Sequence, residues 1–226
     1  WGHGKSGPLP SQTRSINDLA RQMLSLLDHL NIAKVNLVGL SVGGMWGAPL
    51  ALLAPERINS LVLMDTYLGA EPDATREKYF ALLNAIEAAG AIPEPLLDNI
   101  GPISARPGLG PTCALYQDFR GKLAALAPQR LRESIVPMGR ITFARDDLLP
   151  RLGELDAAST LVICGDQDKP RPPSEAREMA ELIGCPCVLV PEAGHISHLE
   201  NPQFVTAELL AFIAARTPCP SRPPRC

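Results

Sequence analysis

Hydrophobic positions change period several times along the chain, and the changes mark its elements. From Ser15 the sequence reads Ser-Ile-Asn-Asp and then sets Leu19, Met23, Leu26, Leu27 and Leu30 at helical spacing, with Asp18 placed to complete an N-terminal capping pair. An amphipathic helix is predicted there. The apolar run Val35–Leu40 is short and β-branched and predicts a strand buried on both faces. A helix from about Val42 to Leu53, closed by Ala54-Pro55, and a second buried strand over Ile58–Met64 follow.

From Tyr67 to about Leu155 this alternation lapses into helical pieces, Ala74–Ala89, Leu115–Leu126 and Arg130–Ser134. They are separated by the clusters Ile92-Pro93-Glu94-Pro95 and Arg106–Pro111. Alternation then resumes with a strand over Thr160–Cys164, a helix over Ser174–Ile183, a strand over Cys187–Val190 and a helix from Pro202 to Ala215. Strands alternating with helices predict an α/β fold with a mostly parallel sheet. The expected organisation is a core in two parts, 1–66 and 156–216, interrupted by a helical insert at 67–155. The Pro-rich stretch 217–226 is expected to be disordered.

Composition narrows the function classes. With 226 residues, 46% hydrophobic and 20% charged, the chain is long enough for a sizeable core. Its 21 basic and 24 acidic side chains leave a formal charge of -3, without the cationic surplus that phosphate backbones demand, so nucleic acid is not an expected partner. No apolar run approaches the roughly 18 residues of a spanning helix, so no membrane partner is expected either. The chain opens at Trp1 without a charged n-region or apolar h-region, and a cytoplasmic location is the expectation. Cys113, Cys164, Cys185, Cys187, Cys219 and Cys226 show no Cys-x-x-Cys spacing and are read as reduced structural residues. The same spacing, with no His-Glu-x-x-His, disfavours a metal site.

The chemistry centres on Gly39-Leu40-Ser41-Val42-Gly43-Gly44, a Gly-x-Ser-x-Gly between a predicted strand and a predicted helix. With 12 serines and 18 glycines in 226 residues, chance supplies only about 0.08 such matches. A nucleophile on so tight a turn needs neighbours without a Cβ, and the Val42 N–H at the following helix N-terminus faces a developing oxyanion. A serine also needs a base and an orienting acid. Of four histidines, His195 leaves the carboxyl end of a buried strand and is the expected base. His198 is expected to play a local packing or hydrogen-bonding role, while His29 and His3 lie elsewhere. Three carboxylates compete as the acid, Asp168, Asp166 and Asp65, with Asp168 favoured because its loop can turn toward His195.

Taken together, Gly39–Gly44, Leu161–Asp168 and Ala193–Pro202 resemble the nucleophile, acid and histidine blocks of α/β-hydrolase fold enzymes, in the branch of small carboxylesterases and enol-lactonases. The resemblance implies an α/β-hydrolase fold with an inserted helical cap, Ser41 as nucleophile, Asp168 as acid, His195 as base and the Val42 N–H as an oxyanion donor. It implies no metal and no organic cofactor. A serine at the elbow argues against the haloalkane dehalogenase and epoxide hydrolase branches. Trp1–Gly7 is similar to the loop after an early central strand of that family, so the N-terminal strands and a second oxyanion donor are expected to be missing, and this chain alone to turn over poorly.

The expected reaction is hydrolysis of a small-molecule ester or lactone. Carbon–carbon bond hydrolysis, acyl transfer to another acceptor, or a non-catalytic binding role on the same scaffold remain alternatives. Leu82, Leu83, Ile86, Ile92, Leu96, Leu97 and Phe119 either line an acyl pocket or form the insert's own core. Arg120, Lys122, Arg130, Arg132, Arg140 and Arg145 either receive a substrate carboxylate or coat solvated helix faces.

Overall fold

A computed structural model describes residues 1–107 and 113–216; the expectation for the stretch 217–226 falls outside the described residues. Four strands, β1 (Val35–Leu40), β2 (Ile58–Met64), β3 (Thr160–Gly165) and β4 (Cys187–Val190), form an all-parallel sheet in the order β1-β2-β3-β4. Helices α1 (Ile16–His29) and α2 (Val42–Leu53) flank β1. Between β2 and β3 lie α3 (Asp73–Ala89), α4 (Glu94–Ser104), α5 (Ala114–Ala124), the single turn α6 (Pro128–Arg130), a π-turn over Leu131–Ile135 and α7 (Val136–Phe143). Helix α8 (Pro173–Ile183) joins β3 to β4, and α9 (Ser197–Glu200) and α10 (Pro202–Ala214) follow.

Period-two alternation sends Leu61 and Leu63 of β2 to one face of the sheet and Val62 and Met64 to the other. On the first face they meet Ala48 and Ala51 of α2 and Met179, Ala180 and Ile183 of α8. On the second, Val62 and Met64 pack with Ile163, Val190, Val205 and Phe212, the last two from α10. The helices between β2 and β3 carry a core of their own, built on Leu83, Ile86, Leu97, Leu131 and Val136. Register pairs Leu40 with Met64, Met64 with Ile163 and Gly165 with Val190, so the chain leaves all four strands along one edge of the sheet. Ligand sites of open parallel sheets form on that carboxyl edge.

Three expectations need correction. Strand β1 is not buried on both faces: Val38 is 40% exposed, because β1 has a single strand neighbour, β2, among the described residues. In α1 the capping box of Ser15 and Asp18 forms, but only Ile16, Leu19 and Ala20 are buried, and Leu26 and Leu30 face solvent. Third, the segment between β2 and β3 holds more helix than the three predicted pieces: α4 begins within the Ile92–Pro95 cluster, and α7 continues past Ser134. Pro95 stands in the first turn of α4, where a missing N–H costs no intrahelical bond, and Pro137 follows directly on the π-turn over Leu131–Ile135, inside a continuous helical run.

No helix among the described residues is long and apolar enough to cross a membrane.

Candidate active site

Ser41 sits between the last residue of β1 and the first of α2, with φ 51° and ψ -114°, a backbone conformation that a residue bearing a Cβ adopts only under constraint. Constraint is supplied from both sides. Its N–H donates to the Met64 carbonyl at 2.9 Å, extending the β1/β2 ladder, and its carbonyl accepts from Thr66 Oγ1 at 2.7 Å. The turn is so tight that a Cβ on Gly39 would lie 2.5 Å from the Gly43 carbonyl oxygen, and one on Gly44 would lie 2.6 Å from the Thr66 methyl. At Gly43, by contrast, a Cβ would meet nothing within 4 Å. The two positions that demand glycine are therefore 39 and 44, not 39 and 43 as the motif suggests. Ser41 makes no side-chain cap to α2, which leaves its hydroxyl available, and Val42 N–H is the first of the helix's orphan donors.

Ser41 Oγ lies 3.0 Å from His195 Nε2, and His195 Nδ1 lies 2.9 Å from Asp168 Oδ2. An ionised carboxylate only accepts, so Nδ1 carries the proton and Nε2 is left to accept from the serine hydroxyl. The Asp168 side chain is fully buried, and its second oxygen accepts from the Arg171 backbone N–H at 2.9 Å. His195 rides on a loop clasped by Glu200, whose carboxylate accepts from the Gly194 N–H at 2.5 Å and the Arg106 N–H at 2.7 Å. Two further glycines make room for this loop. A Cβ on Gly165 would lie 2.2 Å from the Gly194 carbonyl oxygen, and one on Gly194 would lie 2.6 Å from the backbone of Ala105.

The other candidate acids lie off the imidazole. Asp65 is buried at the end of β2 and accepts from Gly165 N–H at 2.9 Å and Ser197 Oγ at 2.6 Å. Burial pushes its carboxyl up to about 7, although both hydrogen bonds oppose the rise. It ties the ends of β2 and β3 to the segment after His195. Asp166 Oδ1 accepts from Ala193 N–H at 3.3 Å. Asp65, Cys164 and Asp168 offer buried ligand atoms within 4.8 Å of one another, yet both carboxylates already accept protein hydrogen bonds and the Cys164 thiol contacts backbone carbonyls. Burial pushes that thiol upward, away from the thiolate a metal would need. His198 stands apart: burial lowers its pKa, and its Nδ1 has no hydrogen-bond partner among the described residues.

A cavity of about 860 Å³ opens over Ser41 and His195, lined mainly by apolar side chains that include Leu82, Leu83, Ile86 and Leu96. At its wall Tyr79 and Phe143 stack with ring centroids 3.9 Å apart. Leu83 and Ile86 also belong to the core of the inserted helices, so the two readings of this stripe coexist in one helix. Ile92 and Leu97 are buried away from the cavity, and Phe119 is not part of it. None of Arg120, Lys122, Arg130, Arg132, Arg140 and Arg145 lines it. Arg120 pairs with Glu94 and Asp98, Lys122 with Asp118, Arg140 with Glu87 and buried Arg145 with Glu71, which corrects the carboxylate-binding alternative for these positions.

A parallel sheet with a serine on a strained strand-to-helix turn, and a histidine and a carboxylate on neighbouring strand ends, is the architecture of the α/β-hydrolases. Comparison with known proteins agrees. Residues 1–91 match the family model described as alpha/beta hydrolase fold. The chain is 31% identical, over 94% of its length, to the dihydrolipoyllysine-residue acetyltransferase component of the acetoin cleaving system of Pseudomonas putida, and spans 54% of that relative's length. It is 28% identical to 3-oxoadipate enol-lactonase 2 of Acinetobacter baylyi, matching 89% of this chain and 72% of the lactonase. The solved structure of a thermophilic esterase from Thermogutta terrifontis superimposes with a TM-score of 0.82 at 24% identity, over 96% of this chain and 78% of the esterase. The chain has the α/β-hydrolase fold.

Proposed function

We propose that this chain is a serine hydrolase that cleaves small carboxylic esters or lactones through an acyl-enzyme on Ser41. The observation that carries the reading is the continuous relay from Ser41 Oγ through His195 to Asp168, at 3.0 and 2.9 Å. Ser41 attacks the carbonyl carbon as His195 Nε2 takes its proton. The same proton then passes to the leaving alcohol, and water repeats the sequence to release the acid. Asp168 holds the imidazole in the required tautomer, and the Val42 N–H donates to the oxyanion. The apolar cavity supports an uncharged acyl group of modest size. The named activities of the lactonase and esterase relatives point the same way.

A fluorophosphonate probe tests this directly. Covalent labelling of the folded chain, lost in Ser41→Ala, is the expected result, together with hydrolysis of p-nitrophenyl acetate in preference to long-chain esters. A folded sample that neither labels nor hydrolyses would be a binding protein on a hydrolase scaffold.

A further inference from the structure

Behind the candidate acid lies a cluster of buried charges that the relay does not use. Glu71, in the segment between β2 and α3, accepts through Oε1 from Arg145 Nη1 at 2.8 Å and from Arg171 Nη2. All three residues are buried. Arg171 Nη1 also approaches Glu175 at 3.6 Å, so two cations face two anions. Burial alone would raise the Glu71 carboxyl, but the two guanidiniums outweigh it and hold the pKa below the usual value, so Glu71 is ionised.

The cluster reaches Asp168 through the backbone. Arg171 N–H is the donor that fixes Asp168 Oδ1, and Cys164 Sγ contacts the Arg171 carbonyl at 3.4 Å. Arg171 stands in Lys169-Pro170-Arg171-Pro172-Pro173, where each proline locks its own φ and Pro172 confines Arg171 to extended backbone. The segment is therefore stiff, and the guanidinium seated on Glu71 is the side-chain anchor that ties it to the cluster.

We infer that Glu71 is a positioning residue: by seating the Arg171 side chain it aims the Arg171 N–H at Asp168 and so sets the carboxylate against His195. This rests on the reading of Asp168 and His195 as acid and base. Glu71 touches neither the serine nor the cavity, and it lies 97 residues before Asp168 in sequence, so the link exists only in the fold.

The test follows the His195 ring nitrogens by NMR titration in the ¹⁵N-histidine-labelled full chain, with the signal assigned by its loss in His195→Gln. His195 faces two carboxylates, Asp168 in contact and Asp65 behind it. In Glu71→Gln the Asp168 contact loosens while Asp65 is untouched. The expected result is a His195 midpoint lowered by about one pH unit. Because removing Glu71 alone leaves two buried guanidiniums undercompensated and destabilises the fold, Glu71→Gln/Arg145→Met removes one anion and one cation together and carries the same expectation. A natively folded variant with an unmoved midpoint overturns the inference, as does failure of both variants to fold, since the cluster would then serve stability alone. Turnover of p-nitrophenyl acetate supplies a separate arm. A roughly ten-fold lower kcat at unchanged KM in the variants supports the positioning role. Turnover that survives Ser41→Ala would instead refute the hydrolase reading and leave the titration result standing.

Discussion

Asp65 and Asp168 are both buried carboxylates at strand ends, and their surroundings give them opposite tasks. Asp168 accepts from a histidine and a backbone N–H, whereas Asp65 accepts from a hydroxyl and a backbone N–H with no cation in contact. The raised pKa of Asp65, about 7 against an ordinary 3.8, means the folded state binds this proton more tightly than the unfolded chain does. Its favourable contribution is complete below about pH 4 and is lost as pH rises through about 7. Asp65→Asn cannot ionise, so thermal melts of the variant are expected to fall less between pH 5 and pH 8 than those of the parent chain. Equal slopes would mean Asp65 stays ionised in the native state. In the sequence Ser41 and His195 stood out because motif and strand context coincide. Among three carboxylates Asp168 was favoured for the acid on the expected path of its loop, a weaker signal than a motif. Glu71, Arg171 and Glu200 gave no signal, because their partners are distant in the chain and each reads alone as an ordinary surface charge.

At the scale of elements, the start of α2 shows how a local pattern can be half informative. The Gly-x-Ser-x-Gly spacing marks the turn, yet the close approach of the helix to Thr66 falls on Gly44, one residue beyond the pattern. Gly43→Ala is expected to be neutral or to stabilise by up to about 1 kcal/mol, since alanine is the better helix former and its methyl meets open space. Gly44→Ala must displace Thr66 and with it the hydrogen bond that supports Ser41, and is expected to cost about 1–3 kcal/mol. Urea unfolding of the two variants checks the contrast, and a reversed order would contradict the geometry at this turn. The four strands were legible because continuous β-branched runs bounded by charge and glycine have few other uses. Burial was not, since the neighbours of β1 are a property of the sheet. Helices α4 and α7 were hidden by prolines whose effect depends on where in the helix they fall.

At the scale of the molecule, the inserted helices roof the carboxyl edge of the sheet and give the cavity its length. Leu82 lines that cavity without joining the core beneath it, which makes it the place to probe size selection. Leu82→Trp is expected to lower kcat/KM for p-nitrophenyl octanoate by roughly ten-fold or more while sparing the acetate, a loss on the scale of one or two methylenes in an apolar pocket. Equal losses on both esters would place the acyl chain elsewhere.

The roof stands on two feet. One is the stem where Leu148 N–H bonds the Leu68 carbonyl and Arg145 meets Glu71, hard against the loop of Asp168. The other is Arg106, clipped by Glu200 to the loop of His195. Each foot is planted beside one of the two loops that bring His195 and Asp168 together. Anyone widening the doorway should carve the ceiling and leave the pillars alone.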